Sequence, residues 1–487
     1  MTTLTIPAPA RPRRALTGIS LGYFMVLLDM TVLAVAEPDL ARSLSASTAG
    51  LQWATTAYTV TFAALLLSAG AATDRYGAPR LFRTGIAVFT AASLLSALAP
   101  ALWPLVALRA VMGVAAAACV PASMSMIAAL YPAPAARAKA IATWAATSGA
   151  AVAAGPIAGG ALVATAGWRA VFLINVPIGA LVLLLTAAAP TPARATTPGA
   201  APASAAVAAR TATPGSTSAP TPGSMPGSPA LPAPITARID WCAHLAATAT
   251  LALATDTLIA AGAHQWPHTF FAALATAVAL ALFAALERRS PTPVFNRPLL
   301  REHRVRAALL AGATVNFVLA GILFVLPLYL HRAHHFTPLQ TGLAFLPLTI
   351  PFVAGPPLTG RIVARVGPYR PILTGLALLT CGAGVLAFSL AVAGGLPLLA
   401  TGLLAAGSGV SFALPALATA IVNAAPPGTT GAAAAVLNAS RQAGASAGVV
   451  TMGAALSAGP AWPMLAAAAV TAATALAFAH ASPARQR

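Results

Sequence analysis

Few residues in this chain have chemistry to offer, and the first of them lies in oil. Leu28-Asp29-Met30-Thr31 falls inside an apolar run from Ala15 to Ala36. A carboxylate at the centre of a membrane helix costs about 2.5–3.5 kcal/mol on insertion scales, and such a charge is kept where it faces a polar interior and moves an ion or a substrate. Ordinary helix packing uses Ser, Thr or Asn at lower cost. A second charge, Arg109, sits in the apolar stretch Leu108 to Gly113. A guanidinium stays charged at any working pH and requires an anionic or strongly dipolar partner; Asp29 is the natural candidate. Pairing favours the ionised carboxylate and desolvation the neutral one, so a pair whose separation changes as the protein moves can take up and release a proton. Arg441 is a third charge deep in an apolar span, flanked by Asn438 and Gln442. It either lines a cavity or holds a helix bundle together.

The elements that position these groups are membrane helices. Of 487 residues, 59% are hydrophobic and 7% charged, with mean hydropathy +0.83, against about 25% charged in soluble proteins. A spanning helix needs about 20 mostly apolar residues. Cutting at Pro, Gly and charge clusters gives fourteen such stretches, at about 16–36, 52–72, 81–100, 104–126, 138–162, 168–189, 239–261, 268–286, 305–330, 339–363, 371–391, 396–423, 429–457 and 461–481. An even number puts both termini on one side. With the termini inside, the tails and inside loops hold 22 of the 27 basic residues, and the outside loops only Arg42, Arg169 and Arg332. That is the asymmetry of the positive-inside rule, and it locates the net charge of +19 on cytoplasmic loops near anionic lipid. No basic face with interleaved aromatics exists, which argues against a nucleic-acid partner. Met1 to Arg14 reads as a cytoplasmic tail rather than a removable signal peptide.

Residues 190–238 are Pro, Ala, Thr, Ser and Gly without helical periodicity, which predicts a disordered cytoplasmic linker. The chain thus divides into an N-terminal six-helix bundle (1–189), the linker, two extra spans (239–286), a basic loop (287–304) and a C-terminal six-helix bundle (305–487). The two bundles look like repeats. Gly70, Arg75 and Gly77 follow the second span of the first bundle, and Gly360, Arg365 and Gly367 follow the second span of the other at the same spacing. Parallel repeats are how many secondary transporters build a central site between two bundles.

With these residues in view, the chain resembles a major facilitator superfamily member, of the fourteen-helix drug:proton antiporter group (EmrB/QacA type). Asp29 to Pro38 resembles a motif peculiar to those antiporters, with Ala34 where the family usually has Asn and Glu37 where it has Leu. Glu37 and Asp39 read as a solvated loop entrance. Gly70, Asp74, Arg75, Gly77 and Arg80 are similar to the superfamily's cytoplasmic gating loop, whose Asp and Arg clasp the halves in the outward-facing state; Ala78-Pro79 replace residues that are often basic. Leu108 to Gly113 resembles the motif whose buried Arg is assigned to proton transfer, with Met112 for a frequent Gln. Gly149, Gly155, Pro156, Gly159 and Gly160 resemble the antiporter helix, where small residues let another helix approach closely. The stretch Gly167 to Gly179 matches the start of the sixth span, and Asn438, Arg441, Gln442, Gly444 and Gly448 resemble the antiporter helix's counterpart in the second bundle.

The resemblance implies an all-α membrane protein with the major facilitator fold, two six-helix bundles plus two extra central helices. It implies proton-coupled efflux of amphipathic drugs or antibiotics, cationic ones among them, across the cytoplasmic membrane by alternating access. Asp29 would bind the proton and a cationic substrate in competition, tuned by Arg109, with Thr31, Asn438, Arg441 and Gln442 as cavity lining. A dedicated self-resistance exporter, a metabolite importer of the same fold, and a non-transporting sensor are the alternatives. The sole lysine, Lys139, lies in Ala138-Lys139-Ala140, so no Gly-Lys-Ser/Thr phosphate loop exists; ATP is excluded and an ion gradient must drive the cycle. No cofactor is expected, and a monomer should suffice. The three cysteines, Cys119, Cys242 and Cys381, lie in apolar spans and read as packing residues. His264, His268, His331, His334 and His335 read as a solvated rim, and Asp256 as peripheral.

Overall fold

In the computed structural model, residues 10–187, 241–290, 300–392, 394–425 and 430–481 are described. Among them the structure is helical throughout. The helices are α1 (Ala10–Ser43), α2 (Thr48–Tyr76), α3 (Ala78–Ala97), α4 (Leu102–Leu130), α5 (Pro134–Ala166), α6 (Ala170–Leu173), α7 (Asn175–Thr186), α8 (Trp241–Gly262), α9 (Trp266–Arg289), α10 (His303–His334), α11 (Pro338–Ala344), α12 (Leu346–Val366), α13 (Tyr369–Ala391), α14 (Leu396–Ala424), α15 (Thr430–Ala455) and α16 (Trp462–Ala481). Taking α6 with α7 and α11 with α12 as single broken rods gives the fourteen elements expected. Nine of the described helices are long and apolar enough to cross a membrane, and the α11–α12 pair, bent by 43°, makes a tenth. The whole of the linker, 190–238, and the middle of the basic loop, at 291–299, lie outside the described residues.

Three boundaries differ from the sequence reading, each for a physical reason. The first span ends at Ala36 in the reading because Glu37-Pro38-Asp39 follows, yet α1 continues to Ser43 with Pro38 inside it. A membrane helix tolerates Pro where neighbouring helices satisfy the backbone groups it frees. The sixth rod breaks at Ile174, and the break sets Asn175 at the start of α7. The tenth breaks at Phe345, and Thr337 and Gln340 cap its first piece reciprocally.

α1–α7 pack into one bundle and α10–α16 into the other. The α8–α9 hairpin leans on α2 and α15, and α9 turns Phe270, Phe271, Leu274 and Val278 outward, as a lipid-facing helix does. The two repeat loops match in backbone conformation. Gly77 (φ 87°) ends α2 and Gly367 (φ 77°) ends α12, each donating its N–H back to the helix at 3.0 and 2.9 Å. Only glycine enters that region of φ without a steric cost, which explains why the repeat preserves it. Cys119 is buried beneath Gly85, whereas Cys242 and Cys381 are exposed on the helix perimeter and pack against no core.

Among the described residues the bundles meet from the far face to about mid-depth, where Gly149 of α5 faces Phe352 of α12, and stand apart at the near face. At the face where α1 ends (the far face), the Gln52 amide of α2 donates to the carbonyls of Val449 and Val450 on α15 at 3.4 and 3.1 Å, and Thr59 bonds Ser446 at 2.7 Å. Gly160 of α5 lies against Pro338 and Leu339, and Gly342 against Pro156. At the face where α1 begins (the near face), Gly70, Gly77, Gly360 and Gly367 have no neighbour where a Cβ would stand, and Arg75, Arg80, Arg361 and Arg365 are exposed. The structure is closed at the far face and open at the near one.

Candidate functional site

The site is assembled where α1, α2, α4 and α7 converge. Arg109, Thr55 and Glu37 each lie about two turns in from the far ends of α4, α2 and α1. Asp29 sits lower on α1. The Arg109 guanidinium pairs with Asp29 Oδ2, donates from Nε to the Ala54 carbonyl at 3.1 Å, and lies 4.6 Å over the Tyr58 ring. The other carboxylate oxygen, Asp29 Oδ1, accepts from Asn175 Nδ2 at 2.9 Å. Asn175 also donates to Ser93 Oγ at 3.0 Å, and Ser93 donates to the Phe172 carbonyl at 2.9 Å. Tyr58 is itself anchored by its hydroxyl to the Val26 carbonyl at 3.3 Å. Asp29 is 3% exposed and Arg109 1%. Taking such a pair out of water is costly and is repaid only when the remaining donors and acceptors are satisfied; the Ala54 carbonyl, the Tyr58 ring and the Asn175 amide serve the pair directly.

Asn175, Tyr58 and Ser93 were not singled out in the sequence. Asn175 left the clearest signal, being an amide in an otherwise apolar span. It is aimed at Asp29 because the chain breaks at Ile174, where Pro177 has no N–H to return to the Leu173 carbonyl.

A cavity of about 120 Å³ lies between the bundles. Met30, Thr31, Glu37 and Arg109 line it from one bundle, and Asn316, Arg441 and Gln442 from the other. Asp29 does not border it: Arg109 stands between. The pairing that makes the burial of Asp29 tolerable thus sets Arg109, and not Asp29, at the cavity wall in this conformation. The placing of Glu37 is corrected. It is no solvated entrance but 2% exposed, with Oε1 accepting from Thr55 Oγ1 at 3.0 Å and Oε2 without a partner among the described residues. The continuation of α1 through Pro38 carries it inside. Asp39 does reach the rim, where Oδ2 accepts from the Trp168 N–H at 2.9 Å and Oδ1 pairs with Arg42 at 3.3 Å.

Neither role left open for Arg441 displaces the other: it borders the cavity and it ties α15 to α10. Its Nε donates to Asn316 Oδ1 at 3.3 Å and its Nη1 to Asn438 Oδ1 at 3.2 Å, so Asn438 supports it from outside the lining. The antiporter helix packs on α1: Gly155 lies against Thr31, and a Cβ at Gly159 would come within 2.7 Å of the Val32 carbonyl oxygen. Gly149 faces the Phe352 carbonyl across the bundles, where a Cβ would stand 3.1 Å away. The gating-loop residues Gly70, Arg75, Gly77 and Arg80 lie at the open near face, apart from the ion pair; the Asp74 side chain is outside the described set. Asp256 on α8 pairs with His268 on α9 at 2.8 Å, both partly exposed at the far rim, so one rim histidine does have a carboxylate partner. No group of three metal-ligating side chains occurs among the described residues.

The arrangement is a buried acid and base in one bundle, bordering a cavity shared with a second, similar bundle that is open at one end. It suits alternating access to a small molecule and contains nothing resembling a nucleophile–base constellation. The Major Facilitator Superfamily model matches residues 19–449. The chain is 31% identical over 445 residues to the multidrug resistance protein Stp of Mycobacterium tuberculosis, covering 91% of this chain and 75% of that protein. It is 32% identical over 447 residues to the methylenomycin A resistance protein of Bacillus subtilis, covering 90% and 87%. It is 30% identical over 370 residues to the tetracenomycin C resistance and export protein of Streptomyces glaucescens, covering 76% and 62%. Among solved structures, a bacterial homolog of the human lysosomal transporter Spinster, in an inward-facing and unoccupied conformation, aligns with a TM-score of 0.60 at 17% identity over 97% of this chain and 93% of that one. A membrane-embedded charge pair beside a cavity between two repeated bundles, and a family match across most of the sequence, lead to one conclusion: this chain is a multi-pass membrane transporter of the Major Facilitator Superfamily, and not an enzyme.

Proposed function

We propose that the protein exports amphipathic small molecules of the drug and antibiotic kind across the cytoplasmic membrane in exchange for protons, as a member of the fourteen-helix antiporter group. The observation that carries this reading is the Asp29–Arg109 pair: buried, held by Asn175, the Ala54 carbonyl and the Tyr58 ring, and bordering the cavity through Arg109 alone. Protonation of Asp29 frees Arg109 from its anion. The freed guanidinium then acts on whatever occupies the cavity, which links proton binding at one site to substrate binding at another. Relatives named for multidrug and antibiotic resistance support the substrate class.

The protein works as a monomer with both chain ends in the cytoplasm, so the open near face is the cytoplasmic one and the structure is the substrate-loading state. No cofactor or ATP takes part. One charge moving through 100 mV yields about 2.3 kcal/mol, enough for roughly a 50-fold gradient of substrate. A dedicated exporter of one natural product is the second reading, favoured by the relatives named for methylenomycin A and tetracenomycin C resistance.

A drug-susceptibility panel in a pump-deficient host tests the proposal and separates the two readings. The wild type should raise tolerance to several unrelated compounds, or to one under the second reading, and Asp29→Asn should abolish the effect at equal expression. Equal protection by both would remove Asp29 from the coupling mechanism. Protection against nothing would sink the export reading itself.

A further inference from the structure

Glu37 lies eight residues beyond Asp29 on α1. The two carboxylates are therefore about 12 Å apart along the helix and turned about 80° around it, and they serve different spaces. Asp29 is spent on Arg109 and Asn175. Glu37 is the carboxylate among the cavity-lining residues, with one oxygen on Thr55 and the other orphaned. Arg109 makes no hydrogen bond to it among the described residues; its Nε and Nη1 go to the Ala54 carbonyl and Asp29. A buried carboxylate oxygen without a donor is unfavourable, and a ligand bearing N–H groups on a cationic nitrogen removes the penalty.

The opposite wall carries the complementary charge. Arg441 has two amide oxygens as acceptors, those of Asn316 and Asn438, and no carboxylate partner among the described residues. Two neutral acceptors leave a guanidinium's charge unmatched and most of its five N–H donors unused. Arg109 also borders the cavity, but Asp29 matches its charge. What remains is one unmatched acid and one unmatched base on different bundles, lining one cavity together with the apolar side chains of Leu319, Leu323 and Phe324.

We propose that the cavity is built for an amphoteric substrate, whose protonated nitrogen is taken by Glu37 and whose carboxylate or other anionic oxygen is taken by Arg441. This deepens the export reading and rests on it: Asp29 handles the proton and Glu37 the cargo. A molecule held at both poles ties the two bundles together. When the seam of Gln52 and Thr59 with α15 parts at the far face, Glu37 and Arg441 separate, and the two-point grip is lost on the side of release.

The test is equilibrium binding to the purified full-length protein in lipid nanodiscs, with three probes. Norfloxacin carries both charges, 1-phenylpiperazine only the positive one, on a protonated amine, and nalidixate only the negative one. The wild type should bind norfloxacin roughly tenfold or more tighter than either single-charge probe, as expected for an added charge-assisted contact. Glu37→Gln should weaken norfloxacin and 1-phenylpiperazine by roughly tenfold or more relative to nalidixate. Arg441→Gln should weaken norfloxacin and nalidixate relative to 1-phenylpiperazine. Should Glu37→Gln fail to elute as a folded monodisperse protein, Glu37→Asp and Thr55→Val take its place and should show a smaller loss in the same order. Norfloxacin binding indifferent to either charge, or wild type binding no tighter to norfloxacin than to 1-phenylpiperazine or nalidixate, would overturn the proposal. Failure with all three probes, alongside a positive susceptibility panel, would overturn the amphoteric class and leave export standing.

Discussion

Asn175 holds the one oxygen of Asp29 that Arg109 leaves free, at 2.9 Å, and it does so from the first residue of α7. The contact joins the sixth rod to the first through the acid proposed to carry the proton. Asn175→Leu keeps the volume and removes the donor, leaving a buried carboxylate oxygen unsatisfied at a cost of about 1–3 kcal/mol. The variant should unfold several degrees below wild type in a detergent thermal melt, and proton-driven substrate uptake into inverted vesicles should fall. An unchanged melt and unchanged uptake would mean that Asn175 is a bystander.

Removing one member of the ion pair should hurt more than removing both. Arg109→Met strands Asp29 in a desolvated site, and breaking a buried pair in this way costs about 3–5 kcal/mol. Adding Asp29→Asn removes the stranded charge, so the double variant should recover much of the lost stability while remaining inactive in export. Arg109→Lys should not rescue: an ammonium has no planar fork with which to meet Asp29 and the Ala54 carbonyl while stacking on Tyr58. The check is a double-mutant cycle on melting temperature with transport measured alongside. Additive losses would show that Asp29 and Arg109 do not depend on one another.

The stripe on α5 makes a separate prediction. Gly159 lies so close to Val32 that a Cβ there would meet its carbonyl oxygen at 2.7 Å, and backbone offers little room to yield. Gly159→Val must push α1 away from α5 and with it Asp29 and Thr31. Overpacking of this kind typically costs about 1–3 kcal/mol. Export should be lost although no polar group has been altered, while Gly70→Val, at a position with open space around it, should fold normally. Susceptibility assays at matched membrane expression decide the point.

Much of this architecture could be read from the residues, because lipid imposes a severe filter. Apolar runs of the right length gave the rods, and the spacing of Gly77 and Gly367 gave the repeat. The Asp29–Arg109 pairing was legible because each charge, alone in oil, demands the other. Glu37 was misplaced for an instructive reason. Its neighbours Pro38 and Asp39 mark a loop in soluble sequences, and only the packing of α2, with Thr55 facing Glu37, shows α1 continuing inward. Asn175 was hidden because the break at Ile174 is marked only from a distance, by Pro177, which has no N–H to return to the Leu173 carbonyl. The state of the gate was not legible at all, since one sequence encodes both the open and the closed arrangement.

That last property can be trapped. Thr59 on α2 and Ser446 on α15 bring their hydroxyl oxygens within 2.7 Å across the bundle seam at the closed far face, a separation that lets two cysteines at these positions bond with modest adjustment. In a background with Cys242 and Cys381 changed to Ala, Thr59→Cys with Ser446→Cys should cross-link on mild oxidation. The far seam must part for release, so the cross-linked protein should still admit a thiol-reactive probe at near-face positions such as Arg365→Cys but should no longer export. Reduction should restore transport in the same membranes, which separates locking from misfolding. Full export by the cross-linked form would mean that this seam does not open during the cycle, and alternating access between these two faces would have to be abandoned.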